Sequence, residues 1–512
     1  MTSYSLYGFF IFFNSNQHRK EYLYKFKKQI LKKQQFYDEY CVAFGHEPTV
    51  DQARLIHMLV DFVASPEKNQ LFLLKGFAGT GKTSILGTLV KVLSNNKFKT
   101  RLLAPTGRAA KVLSLKSTKM AFTIHKQIYR REPSTDGSVQ LQLSPNLFKN
   151  TLFIVDEASM IGDYTIQKDG SVNQRNLLDD LIEYVYSAEG CKLILLGDEG
   201  QLPPVGCEHS PALNKQHLEF YYSKLKIIDF QLKEVLRQTE QSSILENATR
   251  LRNNLDGEYP SFKIEKYGDL IRLEGGELQD VLESSMSEFG SDETIVITRS
   301  NKWANTYNNQ IRSRILWYED LLCNGDCLMV VKNNYYWIDD ASTVGFIANG
   351  EMMRVNRILK REEMYGFEFI KATVELVDYP DLAELEVVLL PETLNSEGPA
   401  LSRERMKELF FAIEKDYEFE RNKRKRYDLI MKNPYFNALQ VKYAYAITCH
   451  KSQGGQWACV FIDQGYITEE MMNSDYFRWL YTALTRATER VYLVNFSDEY
   501  FLEDNRYLDN RL

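Results

Sequence analysis

Short apolar runs separated by helical stretches dominate the first half of the chain. Leu71-Phe72-Leu73-Leu74 is one, and others fall at 101–104, 152–155 and 192–196. Each is too short for a helix and is bounded by polar or glycine-containing segments, which predicts buried parallel strands with helices on both faces. Ahead of the first run, Leu55, Leu59 and Phe62 repeat at helical spacing behind Thr49, a side chain suited to capping a helix N-terminus. A second set of apolar runs begins at Thr294-Ile295-Val296-Ile297 and resumes at 444–448, 460–462 and 491–494.

Between the halves of that second set the texture changes. Strand-like alternation runs to Leu390, and a charged helical stretch follows with Arg421-Asn422-Lys423-Arg424-Lys425-Arg426. The pattern predicts an α/β chain with two parallel-sheet domains: one over residues 46–235, the other over 236–330 and 432–512. A small β insertion with a helical arm is expected over 331–431, and residues 1–45 are expected to be an N-terminal extension, within which 21–44, rich in Lys, Tyr and Phe at roughly helical spacing, reads as a helix leading to the core. Residues 126–150 carry the hairpin signal Asp136-Gly137 between polar strands, which predicts a small protruding insertion in the first domain.

Composition changes this picture little. The chain has 512 residues, 44% of them hydrophobic, and a formal net charge of -6. A mildly acidic body still accommodates a basic cleft, because nucleic-acid binding depends on local field. Seven scattered cysteines read as reduced thiols of a cytoplasmic protein, not as a disulfide framework. Cys323 and Cys327 have no second pair beside them in the sequence, which argues against zinc. The aromatic run near the start is too short for a membrane span, so no membrane association is expected.

Candidate chemistry sits where the predicted strands end. Gly76-Phe77-Ala78-Gly79-Thr80-Gly81-Lys82-Thr83 follows a strand and opens a helix, the context a phosphate-binding loop requires. Its glycines let backbone N–H groups wrap phosphates, Lys82 compensates their charge, and Thr83 is placed to ligate Mg²⁺. Asp156 and Glu157 end the run at 152–155. Alone they read equally well as solvated acids; behind a phosphate loop they read as a metal-holding carboxylate and a general base. Gln201, in Gly197-Asp198-Glu199-Gly200-Gln201, ends a further strand and offers an uncharged donor and acceptor to a terminal phosphate.

Taken in order, these segments resemble the superfamily 1 helicases, in the branch that contains RecD, phage Dda and the Pif helicases. Gln52 resembles the adenine-reading glutamine, Gly76–Thr83 motif I, and Pro105-Thr106 part of motif Ia. Thr123-Ile124-His125 resembles the next strand-contacting segment, Asp156-Glu157 motif II, and Gln201 motif III. The segment around Arg237 is similar to motif IV, 445–457 to motif V, and 481–490, with Arg486, to motif VI.

The resemblance implies two RecA-like domains with ATP and Mg²⁺ in the cleft between them. The nucleotide would be held by Gln52, Gly76, Ala78, Gly79, Thr80, Gly81, Lys82, Thr83 and Ser84, and Mg²⁺ by Thr83 and Asp156. Lys82, Glu157 and Gln201 would act on the phosphates, with Arg237 and Arg486 as arginine fingers. Gln456 stands where the family commonly has a glutamate for the ribose, which puts sugar discrimination in doubt. Pro105, Thr106, His125, Thr448 and His450 would contact single-stranded DNA without reading sequence. The implied activity is ATP-driven 5′-to-3′ translocation with unwinding at duplex junctions, residues 126–150 acting as the strand-separating pin and 331–431 forming an SH3-like domain. Nothing in the residues themselves decides DNA against RNA; loss of Glu157, Arg237 or Arg486 would point to a nucleotide-dependent switch that does not translocate, and all three are present.

Overall fold

The computed structural model describes residues 33–133, 139–163, 176–234, 242–255, 257, 259–264, 268–338, 346–379, 381–398 and 400–502. The first domain is built on six strands: β1 Gln70–Gly76, β2 Lys99–Ala104, β3 Ala121–Thr123, β6 Thr151–Val155, β7 Lys192–Gly197 and β8 Lys226–Leu232. They form one parallel sheet in the order β3-β2-β6-β7-β1-β8. The interior strands are buried almost end to end, as their uninterrupted apolar runs require. Helix Val50–Ala64 starts at a capping box between Thr49 and Gln52. It packs Leu55, Ile56 and Leu59 onto one sheet face beside Leu86 and Leu89 of helix Lys82–Asn95. Each side chain so buried contributes about 1.5–3 kcal/mol.

Residues 33–44, expected to belong to an extension, form a helix on the same face. Tyr40 and Phe44 enter that core, the Tyr40 hydroxyl donates to the Ile85 carbonyl, and Tyr37 stacks on His57. The aromatic spacing of this segment is therefore that of a packed helix.

Between β3 and β6 a hairpin, β4 Tyr129–Pro133 with β5 Val139–Leu143, leaves the sheet as a separate two-stranded ladder. Its base is fixed by the Tyr129 hydroxyl donating to Asp180 at 2.6 Å and by Ser144 N–H donating to the Ile128 carbonyl at 2.7 Å. The Asp136-Gly137 turn lies outside the described residues.

The second domain has a short outer ladder of β9 Phe262–Lys263 with β20 Phe501–Leu502, and a parallel sheet of five strands. These are β10 Leu270–Leu273, β11 Thr294–Thr298, β17 Ala446–Thr448, β18 Trp457–Asp463 and β19 Ala487–Val494, in the order β10-β19-β18-β11-β17. Interrupting it is a closed barrel of β12 Cys327–Val330, β13 Met352–Met364, β14 Phe367–Leu376, β15 Leu385–Leu390 and β16 Leu439–Tyr443, consistent with an SH3-like insertion. The barrel draws β12 and β16 from outside the expected 331–431, because closure needs a strand from each side of the insertion.

The helical arm, Arg403–Glu414 and Lys423–Met431, packs Leu409, Phe410, Ile413 and Ile430 against Phe367 and Phe369 of the barrel. Arg421, Lys423, Arg424 and Lys425 are exposed there, while Arg426 lies 3.4 Å from Glu414. Among the described residues no helix is long and apolar enough to cross a membrane, and no group of three or more His, Cys, Asp or Glu is arranged to hold a metal ion.

Candidate nucleotide cleft and strand-binding edge

β1 delivers its chain to a loop that folds back on itself. Gly79 and Gly81 have φ of +77° and +83°, which side chains rarely tolerate, and Gly81 opens helix Lys82–Asn95 with no side-chain cap. A Cβ on Gly76 would stand 3.0 Å from Thr80 Oγ1 and 3.1 Å from Lys82 Cδ, so the first glycine is needed for closeness. Thr80 is buried and donates from its hydroxyl to Phe77 O at 2.8 Å. The Lys82 ammonium donates to the Gly76 carbonyl and to Phe77 O, the latter at 2.8 Å. The lysine thus rests on its own loop, and phosphate oxygens are acceptors it would exchange for those carbonyls.

Thr83 is half-buried on the first helical turn. Ser84 is exposed, and its carbonyl accepts from Thr88 Oγ1 at 2.9 Å. Gln52 is buried beside the loop: its amide donates to Thr80 O at 3.2 Å, and its carbonyl oxygen accepts from Thr49 N–H at 3.1 Å.

β6 and β7 end at the same edge of the sheet as β1, which converges their loops on one site. Asp156 accepts from Glu157 N–H at 2.9 Å, and Glu157 has the left-handed φ of +53°, unusual for a residue with a side chain. Burial of its carboxyl raises the Asp156 pKa. The Glu157 pKa is raised by burial and then by repulsion from Asp156, while Arg486 and Lys82 pull it down. Two desolvated carboxyls side by side are a donor set for a cation, so the chemistry of the pair fits Mg²⁺. Gln201 is buried, and its side-chain oxygen has no hydrogen-bond partner among the described residues.

The facing wall comes from helix Ser474–Leu484 and the turn after it. Arg486 is 5% exposed yet meets no carboxylate within ion-pair distance among the described residues. It donates to Thr482 O at 3.0 Å, Gly455 O at 3.2 Å and Thr485 Oγ1 at 3.1 Å, and it is near enough to bias the Glu157 carboxyl. A buried guanidinium resting on neutral acceptors beside the buried Glu157 carboxyl keeps its charge available to developing negative charge.

Sequence reasoning had singled out neither Tyr481 nor Asp198, which stitch the walls together. The Tyr481 hydroxyl donates to Asp198 at 2.6 Å and accepts from the Ala78 N–H at 2.9 Å. Leu202 N–H donates to Thr482 Oγ1 and Gln453 Nε2 to Leu202 O, both at 2.9 Å. The sequence signal was the tyrosine five residues before Arg486, but its partners are hundreds of residues away. Arg237 lies outside the described residues. Gln456 is exposed, and its carbonyl accepts from Arg108 at 3.4 Å, on the side facing the motif Ia helix.

The other candidate contacts also follow strand ends. Pro105 and Thr106 follow β2, with Thr106 Oγ1 capping helix Gly107–Ser117 by accepting from Ala109 N–H at 3.2 Å. His125 follows β3, the neighbour of β2; burial lowers its pKa and favours the neutral ring. In the second domain Thr448 ends β17, paired in register with Thr298 of β11, and His450 follows it, exposed. The barrel reaches the first of these edges: Gly107 lies against Ala348, and Lys126 sits 5.0 Å from the Phe346 ring.

Residues 443–494 match the UvrD-like helicase C-terminal domain, and residues 50–274 match an AAA domain. These matches and the relatives that follow support a superfamily 1 helicase similar to Dda and RecD2. The chain is 26% identical to the ATP-dependent DNA helicase Dda of Enterobacteria phage T4, over 60% of this chain and 66% of Dda. It is 24% identical to the ATP-dependent RecD2 DNA helicase of Deinococcus radiodurans, over 83% of this chain and 47% of RecD2. It therefore spans less than two thirds of either relative's own length. Against the Bacteroides Pif1 bound to single-stranded DNA it gives a TM-score of 0.44 at 16% identity, covering 91% of this chain and 96% of that one.

Proposed function

We propose that the helicase hydrolyses ATP with Mg²⁺ in the cleft between its two parallel-sheet domains, moves 5′ to 3′ along single-stranded DNA, and unwinds duplex at junctions. The carrying observation is the pairing across the cleft: Lys82, Asp156, Glu157 and Gln201 on one wall, the buried Arg486 beside Glu157 on the other.

ATP supplies the phosphoanhydride whose cleavage drives the cycle. The loop N–H groups from Ala78 to Thr83 and the Lys82 ammonium bind and orient phosphate oxygens. Thr83 and Asp156 would hold Mg²⁺. Glu157 takes a proton from the attacking water at its carboxylate, and its raised pKa brings it nearer the basicity that task needs. Arg486 stabilises charge on the transferring group only with the walls together, which ties turnover to closure. The contacts of Tyr481, Thr482 and Gln453 with motif I and III segments transmit that closure to the second domain.

Pro105, Thr106 and His125 would grip the DNA backbone on one domain, and Thr448 and His450 on the other, without reading bases. Alternating grip turns closure into movement. The hairpin at 129–143 leaves the first domain directly after His125 and stands as the strand separator. The test is unwinding of duplexes with a 5′ or a 3′ single-stranded tail. Unwinding is expected from the 5′ tail; unwinding from the 3′ tail alone overturns the polarity. Replacing residues 131–146 with a short Gly/Ser linker should leave DNA-stimulated ATPase in place while unwinding falls, and equal unwinding rejects the separator.

A further inference from the structure

Two consecutive glycines of the second domain bring motif V against the start of the motif Ia helix. Gly454 has φ of +78°, and a Cβ on it would stand 2.8 Å from Ala109 Cβ. A Cβ on Gly455 would stand 2.9 Å from Arg108 Cζ and 2.7 Å from the Trp457 ring. Helix Gly107–Ser117 belongs to the first domain, and its cap is Thr106, one of the residues proposed to grip the strand. With no side chain on either glycine to yield, a shift of that helix start is felt directly in the motif V backbone.

Arg108 fills the contact. Its side chain is only 12% exposed, its guanidinium lies 4.0 Å from the centroid of the Trp457 ring, and it donates to Gln456 O at 3.4 Å. On its other side stands Asp378, just past β14 of the barrel, at 3.9 Å. Arg108 thus has a neutral partner set in motif V and a charged partner in the barrel.

The residues that Arg108 touches are the ones that hold Arg486. Gly455 O accepts from the Arg486 guanidinium at 3.2 Å, and Trp457 N–H donates to the Arg486 backbone carbonyl at 2.9 Å. Gly455 and Trp457 therefore carry one arginine on the side of the motif Ia helix and the other on the side of the cleft. The two guanidiniums are near enough to repel, which favours Arg486 turning away from Arg108 and toward Glu157.

We infer that Arg108 is a positioning residue for Arg486: carried by the strand-binding edge, it sets Gly455 and Trp457, and with them the aim of the Arg486 guanidinium at the transferring phosphate. The inference rests on the ATPase and strand-binding reading above. Strand phosphates held at Thr106 fix the first turn of the motif Ia helix. Arg108 stands in that turn, and its stacked plane can fix the indole and the neighbouring peptide in a way that a flexible chain would not.

The decisive experiment measures ATP hydrolysis over a range of ATP and oligothymidylate concentrations, with oligothymidylate affinity read separately by fluorescence anisotropy. Arg108→Gln should lower kcat at saturating strand by about 10²-fold, the scale of a small misplacement of a catalytic group, with the KM for ATP and the strand affinity unchanged. Gly455→Ala, which displaces the guanidinium from the opposite side, should lower kcat in the same way, and it carries the test if Arg108→Gln does not fold. Asp378→Asn removes only the barrel partner and should leave kcat near the wild-type value. Because Arg108 acts through Arg486, the double variant Arg108→Gln/Arg486→Ala should be no slower than Arg486→Ala alone. Normal kcat with weakened strand affinity would make Arg108 a strand contact. Equal loss in Asp378→Asn would make it part of the barrel joint, and additive losses in the double variant would separate it from Arg486. Each of these overturns the inference. Absence of strand-stimulated turnover in the wild-type chain instead overturns the reading it rests on.

Discussion

Two groups of buried charge join the first domain to the rest of the molecule, and they are built in opposite ways. In the nucleotide cleft, Lys82 and Arg486 rest on carbonyl oxygens, Asp156 and Glu157 are desolvated with raised pKa values, and Gln201 has an open acceptor. At the junction with the barrel, Arg108 and Lys111 of the motif Ia helix lie 3.9 and 3.8 Å from Asp378. Arg108 also covers the Trp457 ring at 4.0 Å, and Lys111 the Tyr379 ring at 3.9 Å. There the backbones nearly touch: a Cβ on Gly107 would stand 1.9 Å from Ala348 Cβ. One cluster holds its charges in reserve for a ligand; the other pairs and covers them to fix two bodies together. Buried charge at a domain boundary therefore signals a site where its partners are neutral and exchangeable, and a joint where they are opposite charges.

That contrast is broken most severely in the cleft. Lys82→Ala should abolish hydrolysis, and Glu157→Gln should keep nucleotide binding while losing turnover; measuring binding and turnover separately checks both. Arg486→Ala should cut turnover by about 10³-fold with nucleotide affinity spared; normal DNA-dependent turnover would place Arg486 among structural residues. At the joint, Gly107→Ala should leave nucleotide binding in place and cost about 1–3 kcal/mol of stability, read by chemical denaturation, because the added methyl has no room.

The smallest effect concerns Glu351, buried at the same joint. Burial, with repulsion from Asp378, raises its pKa to about 8 against the offsetting pull of Lys111 and Arg108. A carboxyl whose folded pKa is raised contributes stability in the protonated state, and that contribution is lost as pH rises through the folded value. The melting temperature should fall between about pH 5 and 9 in the wild type, and Glu351→Gln should flatten that fall. An unchanged pH profile in the variant would remove Glu351 from the account.

The cleft was far more legible in sequence than the joint, for a physical reason. Lys82, Asp156, Glu157 and Gln201 each lie in a motif a few residues past the end of a buried strand, so strand pattern and motif converge on the same edge. The two parallel sheets and the barrel were legible the same way. Glu351, Asp378 and Tyr481 act through partners brought close only by folding, and no local pattern marks them. The helix at 33–44 was legible from its aromatic spacing, while its partners, such as His57 of helix Val50–Ala64, are set only by folding. Gln456, whose ribose contact is implied by motif position alone, has an exposed side chain, and its backbone carbonyl accepts from Arg108 of the motif Ia helix.

If strand binding and cleft chemistry are one machine, ATP turnover measured with single-stranded DNA, with single-stranded RNA and with neither, over a range of salt, should depend on the strand. Strong stimulation by single-stranded DNA of any sequence is expected, with the DNA concentration needed rising as salt displaces the backbone contacts. Turnover that is high without any polynucleotide and unchanged by adding one would contradict it.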